Sequence, residues 1–327
     1  MAPNVEFKKF RSKRQFGIEL EVNRNVSKRQ LYDVVCRADI GHRVEITDLP
    51  EGWSESHGDY WHVKFDRSCG WEVASYKGVG IGDINNVGKV AECLGRYGAE
   101  SDSKCGLHIH ADISDFQPYH AGVLYAYWLK IEDMVAQYCP SRRRSNSYCM
   151  SLRSKNLINY DFVHPDTIYQ MCKPSNLASH DNSDKKVTLN LIGYVNFLKC
   201  KTYRRSTAEL RLPEGSLLRS DVVNWTKLYL NFVDRCRRLP PPMTLHHAGL
   251  GETLQILGLE GKGSFFILDD SLRETKVWFL RRLLRYGNGA QSQCDLLEAR
   301  TIQNEAFTRL EKMGECWLNR PEKQFSA

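Results

Sequence analysis

No apolar run in the chain is long enough to cross a bilayer. The longest near-apolar stretch, Ala121 to Leu129, falls far short of the roughly 18 residues such a span needs. The opening MAPNVEFKKFRSKRQ is basic but lacks the apolar segment of a secretory signal, so a cytoplasmic protein without membrane partners is expected. No Cys-x-x-Cys pair occurs among the 11 cysteines. That spacing and the odd count argue against a zinc knuckle and against a secreted disulfide framework, leaving reduced thiols as the plain reading. There is no low-complexity tract and no internal repeat. Neither sign of charge dominates: 46 Lys and Arg against 39 Asp and Glu leave +7 on 327 residues. Such a balance tolerates phosphate-bearing partners without indicating nucleic acid.

What is present is ordinary globular composition, 42% hydrophobic and 26% charged. A chain of this length buries a core without help from disulfides or metals. It suits about two domains, or one with insertions.

Period-two alternation marks the strands. Gln15 to Val22 (QFGIELEV) sets Phe16, Ile18, Leu20 and Val22 against Gly17, Glu19 and Glu21. Trp61, Val63 and Phe65 alternate with His62, Lys64 and Asp66, and a short turn leads into Trp71 to Tyr76, which predicts a hairpin. Cys105 to Ile113 places His108, His110 and Asp112 opposite Leu107, Ile109 and Ala111. Val187 to Lys199 contains strand material with Tyr194 and Asn196, and Thr207 to Leu212 sets Glu209 and Arg211 opposite Ala208, Leu210 and Leu212. Between them lie helical segments. Ser27 to Gln30 forms a capping box ahead of Leu31, Val34, Val35 and Ala38. Asp83 and Gly98 bracket a second helix, and a long one runs from about Pro118 to Tyr138. Ser220 or Asp221 is expected to cap another through Arg237, stopped by Pro240 to Pro242. Pro174 to Lys186 reads as a polar loop, and the chain from there to about Glu315 is mostly helical after residue 240. The pattern is α+β, with an antiparallel sheet and helices covering one face.

The other face is unusual. Four strands each turn charged or imidazole groups away from their apolar side: Glu19 with Glu21, Glu72 with Asp66, His108 with His110, and Glu209 with Arg211. One such strand is ordinarily just wet, but one sheet would gather all four sets into one place. Two carboxylates about 4 Å apart repel by roughly 4 kcal/mol at an effective dielectric near 20, so the cluster calls for cations. Oxygen-rich ligation with one or two imidazoles suits Mg2+ or Mn2+, with phosphate oxygens as remaining ligands, and Arg211 could grip a phosphate.

At these residues the chain resembles a known family. FGIELEV, then Asp66-x-Ser68-x-x-Trp71-Glu72-Val73, CGLHIHAD, Tyr194-x-Asn196 and TAELR are similar, in order, to the motifs of the amidoligases. These belong to the carboxylate–amine ligase superfamily with glutamine synthetase and glutamate–cysteine ligase. The likeness spans about residues 14 to 235. It implies a glutamine-synthetase-like curved antiparallel sheet, with helices on one face and the active site on the other. The catalytic domain is accordingly expected over 1–240; residues 241–327 have no counterpart in the family and read, from their pattern, as a mostly helical extension that completes the same domain, holds a subunit contact or recognises the amine donor.

The implied reaction is ATP-dependent. A carboxylate, in a small molecule or peptide, is phosphorylated, and an amine donor displaces phosphate to leave an amide. By the resemblance, Glu19, Glu21, Glu72, His108 and Glu209 hold Mg2+, and His110 and Arg211 contact nucleotide phosphates. An arginine of the basic loop after the long helix (Arg142, Arg143, Arg144 or Arg153) is a second phosphate contact; Asp66 orients the amine or a metal-bound water, and Asn196 positions the carboxylate. Two rivals stand beside this reading. His108-x-His110-x-Asp112 matches the opening of a metallo-hydrolase signature, though Ile113 stands at its final histidine. The arginine runs with nearby aromatics (Tyr148, Tyr203, Trp278) fit a basic nucleic-acid-binding module, which the acidic sheet face disfavours.

Overall fold

A computed structural model describes residues 10–39, 41–47, 59–144, 146–155, 186–200, 206–259 and 271–287, together with residue 304. Most of the polar Pro174 to Lys186 loop and most of the helical reading beyond residue 287 lie outside these. Eight strands form one sheet: β1 (Gln15–Val22), β2 (Arg43–Thr47), β3 (Tyr60–Asp66), β4 (Gly70–Ala74), β5 (Gly78–Val79), β6 (Leu107–Asp112), β7 (Leu189–Asn190) and β8 (Thr207–Leu210). Their order is β2-β3-β4-β1-β6-β8-β7, with β5 paired to the start of β1. Every pairing is antiparallel except β2 with β3, so the sheet is mixed and mostly antiparallel. The β3–β4 hairpin forms as its alternation predicts, closing at the Asp66–Gly70 pair.

The helices among the described residues are α1 (Lys28–Ala38), α2 (Gly80–Tyr97), α3 (Pro118–Ala136), α4 (Ser141–Arg144), α5 (Leu152–Lys155), α6 (Ile192–Lys199), α7 (Arg219–Cys236), α8 (Leu250–Leu257) and α9 (Ser271–Tyr286). The capping box of α1 is formed as the sequence indicates, with Ser27 accepting from the Gln30 amide and the Gln30 side chain returning to the Ser27 amide. Gly98, at φ 101°, closes α2 in the left-handed conformation that favours glycine. Asp83 lies inside the first turn of α2 and accepts from the Val79 amide at 2.6 Å.

Alternation in β1, β3, β4, β6 and β8 puts Ile18, Leu20, Val63, Val73, Leu107, Ile109 and Leu210 on one buried face. Against that face pack α1, α2 and α7, which supply Leu31, Ile84, Val87, Leu94 and Phe232 to the same core. Helix α3 lies against α7, α8 and α5 and is buried nearly all round.

Three local expectations are corrected. Asp83 does not cap α2, which starts at Gly80 after Val79. Only Leu189–Asn190 of the 187–199 stretch is strand; Tyr194 and Asn196 sit on α6, because Asn190 Oδ1 accepts from the Ile192 amide and turns the chain into a helix. Neither Ser220 nor Asp221 caps α7, which starts at Arg219 after Leu218. Asp221 instead accepts from Ser216 and Trp278 and pairs with Arg282.

Candidate active site on the uncovered sheet face

Residues directly opposite in paired strands share a face, so the register decides which side chains meet. Glu21 stands opposite Glu72, and Glu72 opposite Lys64. On the other side of β1, Glu19 stands opposite His108, while His110 faces Glu209 and Glu209 faces Asn190. Arg211 continues the line beyond β8, its amide bonded to the Thr188 carbonyl at 2.9 Å. The register therefore gathers Glu19, Glu21, Glu72, His108, His110, Glu209 and Arg211 on the face opposite the helices.

The contacts are close. His108 Nδ1 lies 3.0 Å from Glu19 Oε2, and His108 Nε2 lies 3.5 Å from Glu21 Oε1. His110 Nε2 lies 3.1 Å from Glu19 Oε1, and Arg211 Nη1 donates to Glu209 Oε1 at 2.5 Å. The other Glu209 oxygen accepts from Asn190 Nδ2 at 2.7 Å. Glu21 Oε2 accepts the Gly106 amide at 2.5 Å. Asp66 closes the β3–β4 turn, accepting from the Ser68 and Cys69 amides at 2.7 and 3.0 Å and from the Ser68 hydroxyl. Lys64 Nζ lies 2.7 Å from Glu72 Oε1.

Burial and repulsion divide the acids into two kinds. Burial pushes Glu19 and Glu209 up, but His110 and His108 more than offset it at Glu19, and Arg211 and the histidines do so at Glu209, so both are lowered. Glu21 goes the other way: burial, Asp66 and Glu72 raise it well above the carboxylate range. Burial and Glu19 bring Glu72 up to about 7 despite Lys64. Burial and then Arg211 push His108 down to about 4, leaving a neutral imidazole between acids. Five carboxylates (Glu19, Glu21, Asp66, Glu72 and Glu209) thus share the face with two fixed cations, Lys64 and Arg211. Negative charge is in excess unless protons or further cations are bound.

Two groups among the described residues have ligand atoms close enough to share one ion: Glu19, His110 and Glu209, and Glu21, Asp66 and Cys69. Both are carboxylate-rich, so the donor set suits a hard divalent cation. Asp112 joins neither. Its carboxylate accepts from the Ser114 amide and hydroxyl at 3.0 Å each, so the His-x-His-x-Asp arrangement of a metallo-hydrolase does not assemble.

Of the arginines after the long helix, Arg143 is buried and donates to the Leu212 carbonyl at 3.1 Å and the Arg211 carbonyl at 2.6 Å. Arg153 donates to the Leu129 and Leu245 carbonyls, and Arg144 to the Tyr286 carbonyl. The guanidinium groups of Arg143 and Arg153 are thus engaged by main chain. Asn190 and not Asn196 reaches Glu209. Lys64, Cys69, Gly106 and Asn190 complete the site without having been singled out from the sequence. The alternation of β3 already puts Lys64 beside Asp66, and that signal could have found it; Asn190 lies in the strand portion of 187–199, where no alternation of charge marks it.

None of the curated proteins compared with the chain matches it. A family model described as "Putative amidoligase enzyme" matches residues 12–233, a span that begins just before β1, ends within α7 and contains every side chain of the site. The chain belongs to this amidoligase family, a family of ligase-type enzymes.

Proposed function

We propose that the chain is an ATP- and Mg2+-dependent ligase that joins a carboxylate to an amine through an acyl phosphate, on a sheet of the glutamine-synthetase kind. The single observation that carries this reading is the row of register-matched acids ending in the Glu209–Arg211 pair. A face with excess negative charge cannot receive a nucleotide triphosphate alone, yet it is suited to one that arrives with divalent cations. Mg2+, or Mn2+ in its place, would be held by Glu19, His110 and Glu209 and by Glu21 with Asp66. When bound it would neutralise charge on the phosphate oxygens.

The protein's own residues would do the rest. Arg211 presents a planar fork beside Glu209, a geometry that matches a phosphoryl group in two places. His110, one-quarter exposed, turns Nε2 to Glu19 and Glu209 and so belongs to their ion group, while His108 is buried between Glu19 and Glu21. The substrate carboxylate oxygen attacks the γ-phosphorus, the bond to the β–γ bridging oxygen breaks, and ADP leaves. The amine nitrogen then attacks the acyl carbon, the bond to the phosphate oxygen breaks, and the amine proton is lost to an acid–base group. Asp66, held ionised chiefly by Ser68 against the effect of burial, is the carboxylate that would orient the amine.

The catalytic unit spans residues 1–240 in this reading, with α8 and α9 added to its core. A cytoplasmic setting agrees with the odd count of 11 cysteines and the lack of any Cys-x-x-Cys pair. The test is to supply ATP, Mg2+ and hydroxylamine as a general amine with a panel of carboxylates. ADP release that requires a carboxylate, with hydroxamate formed alongside, is the expected result. ATP consumption at one rate whether or not any carboxylate is present would contradict it.

A further inference from the structure

Glu72 lies in the middle of the acidic row yet belongs to neither group able to share an ion. Its partner is already present. Lys64 stands directly opposite it across the β3–β4 pair, with Nζ 2.7 Å from Oε1, and both side chains are largely buried, at 16% and 7% exposed. The Lys64 charge also acts on Glu19, across the width of β4. A lysine among apolar neighbours would ordinarily turn its ammonium to water. Here alternation fixes it on the charged face, one strand from Glu21, where a compact cation meets acids that would otherwise need a metal.

We infer that the Lys64 ammonium is a built-in cation that occupies Glu72, so that Glu72 positions Lys64 and does not ligate a divalent ion. This rests on the ligase reading only for the use of the remaining ions; the occupancy of Glu72 is a property of the chain itself. Such a device fixes one positive charge permanently in the site and reduces the number of divalent cations that the row accepts. Its contact is with Glu72 and not with the Glu19–His110–Glu209 group, whose ligand atoms remain grouped for an ion of their own.

The experiment counts Mn2+ bound per chain by electron paramagnetic resonance during titration with MnCl2 alone, with folding checked by circular dichroism. Glu72→Gln is expected to bind as many ions as the natural protein. Lys64→Met, which keeps the aliphatic stem, is expected to bind one more, and the double variant to return to the original count. Lys64→Arg, which keeps the charge, should leave the count unchanged. Loss of an ion in Glu72→Gln, or no gain in folded Lys64→Met, would overturn the inference. Binding of an ATP analogue is measured on the same samples. If the counts change as expected but no nucleotide binds, the ligase reading fails and the Lys64 assignment stands; if nucleotide binds with magnesium but the counts do not move, the reverse holds.

Discussion

At Gly106 a built Cβ would land 2.7 Å from both Arg143 Nη2 and His108 Nε2, so glycine is what lets the buried arginine and the central histidine approach the same stretch of backbone. Gly106→Ala should therefore displace His108 and, with it, Glu19 and Glu21, weakening magnesium-dependent nucleotide binding at least tenfold while the helices remain folded. Calorimetry with circular dichroism on the same sample checks this. Arg211→Lys keeps the charge but loses the fork, and turnover should fall more than affinity. Equal activity would remove Arg211 from the phosphate contact. Protonation gives a third handle. Glu72, up at about 7 through burial and Glu19, keeps in the folded protein a proton that the unfolded chain releases near 4.5. Its contribution to stability therefore falls as pH rises from about 4.5 to 7. His108, pushed down to about 4 from 6.5, contributes the opposite slope between those two values, and the two largely cancel until His108 has finished titrating. Without divalent ions, Glu72→Gln should raise the melting temperature above pH 7 and leave it nearly unchanged below pH 4.5. A rise confined to acid would contradict the assignment.

The short helix α4 shows how an element can mislead a reading of charge. Its three arginines look like a phosphate loop, but Arg143 is drawn inward to the carbonyls of Arg211 and Leu212, which follow β8 and lack strand partners of their own for those oxygens. Arg143→Ala should cost about 2–4 kcal/mol in urea unfolding, because the Arg211 and Leu212 carbonyls would keep only the weak thiol donors Cys149 and Cys139, and should leave nucleotide affinity of the folded protein unchanged. Loss of affinity at full stability would make it a phosphate contact. The strands were legible because strict alternation leaves no choice of face: β1, β3, β6 and β8 each place their acids and histidines as their sequences read. What alternation cannot give is how strands are ordered, since Glu21 meets Glu72 only because β1 lies between β4 and β6. The parallel β2–β3 pair was hidden for a simpler reason, since the five residues of β2 (Arg43–Thr47) were not read as a strand. The stretch around Tyr194 was lost to a different competition: its apolar residues suit strand or helix, and Asn190 decides by bonding the Ile192 amide. Tyr194 then points its hydroxyl to the Phe116 carbonyl at 2.8 Å, inside the core.

Across the molecule, the described helices beyond residue 240 are continuous with the core that carries the sheet. Leu254, Leu257, Phe279, Leu280 and Leu283 are buried in the same cluster as Leu20 and Ile109. Arg282 reaches the Tyr138 carbonyl, Glu214 and Asp221, and Phe279 stacks on Tyr138 at 3.3 Å. A chain ending at residue 240 should accordingly lose cooperative unfolding, and Arg282→Ala should cost roughly 3–5 kcal/mol by removing the counter-charge of the buried Glu214 and Asp221. Urea titrations read both, and a truncated chain that unfolds as sharply as the whole would show that α8 and α9 do not share the core's cooperative unit. The whole account turns on the uncovered face being a metal–phosphate surface. Its most direct test is calorimetric titration with a non-hydrolysable ATP analogue, with and without Mg2+, on the natural chain and on Glu209→Ala. Binding that requires magnesium and is lost in the folded variant is the predicted result; magnesium-independent binding, or no binding by the folded natural chain, would contradict it.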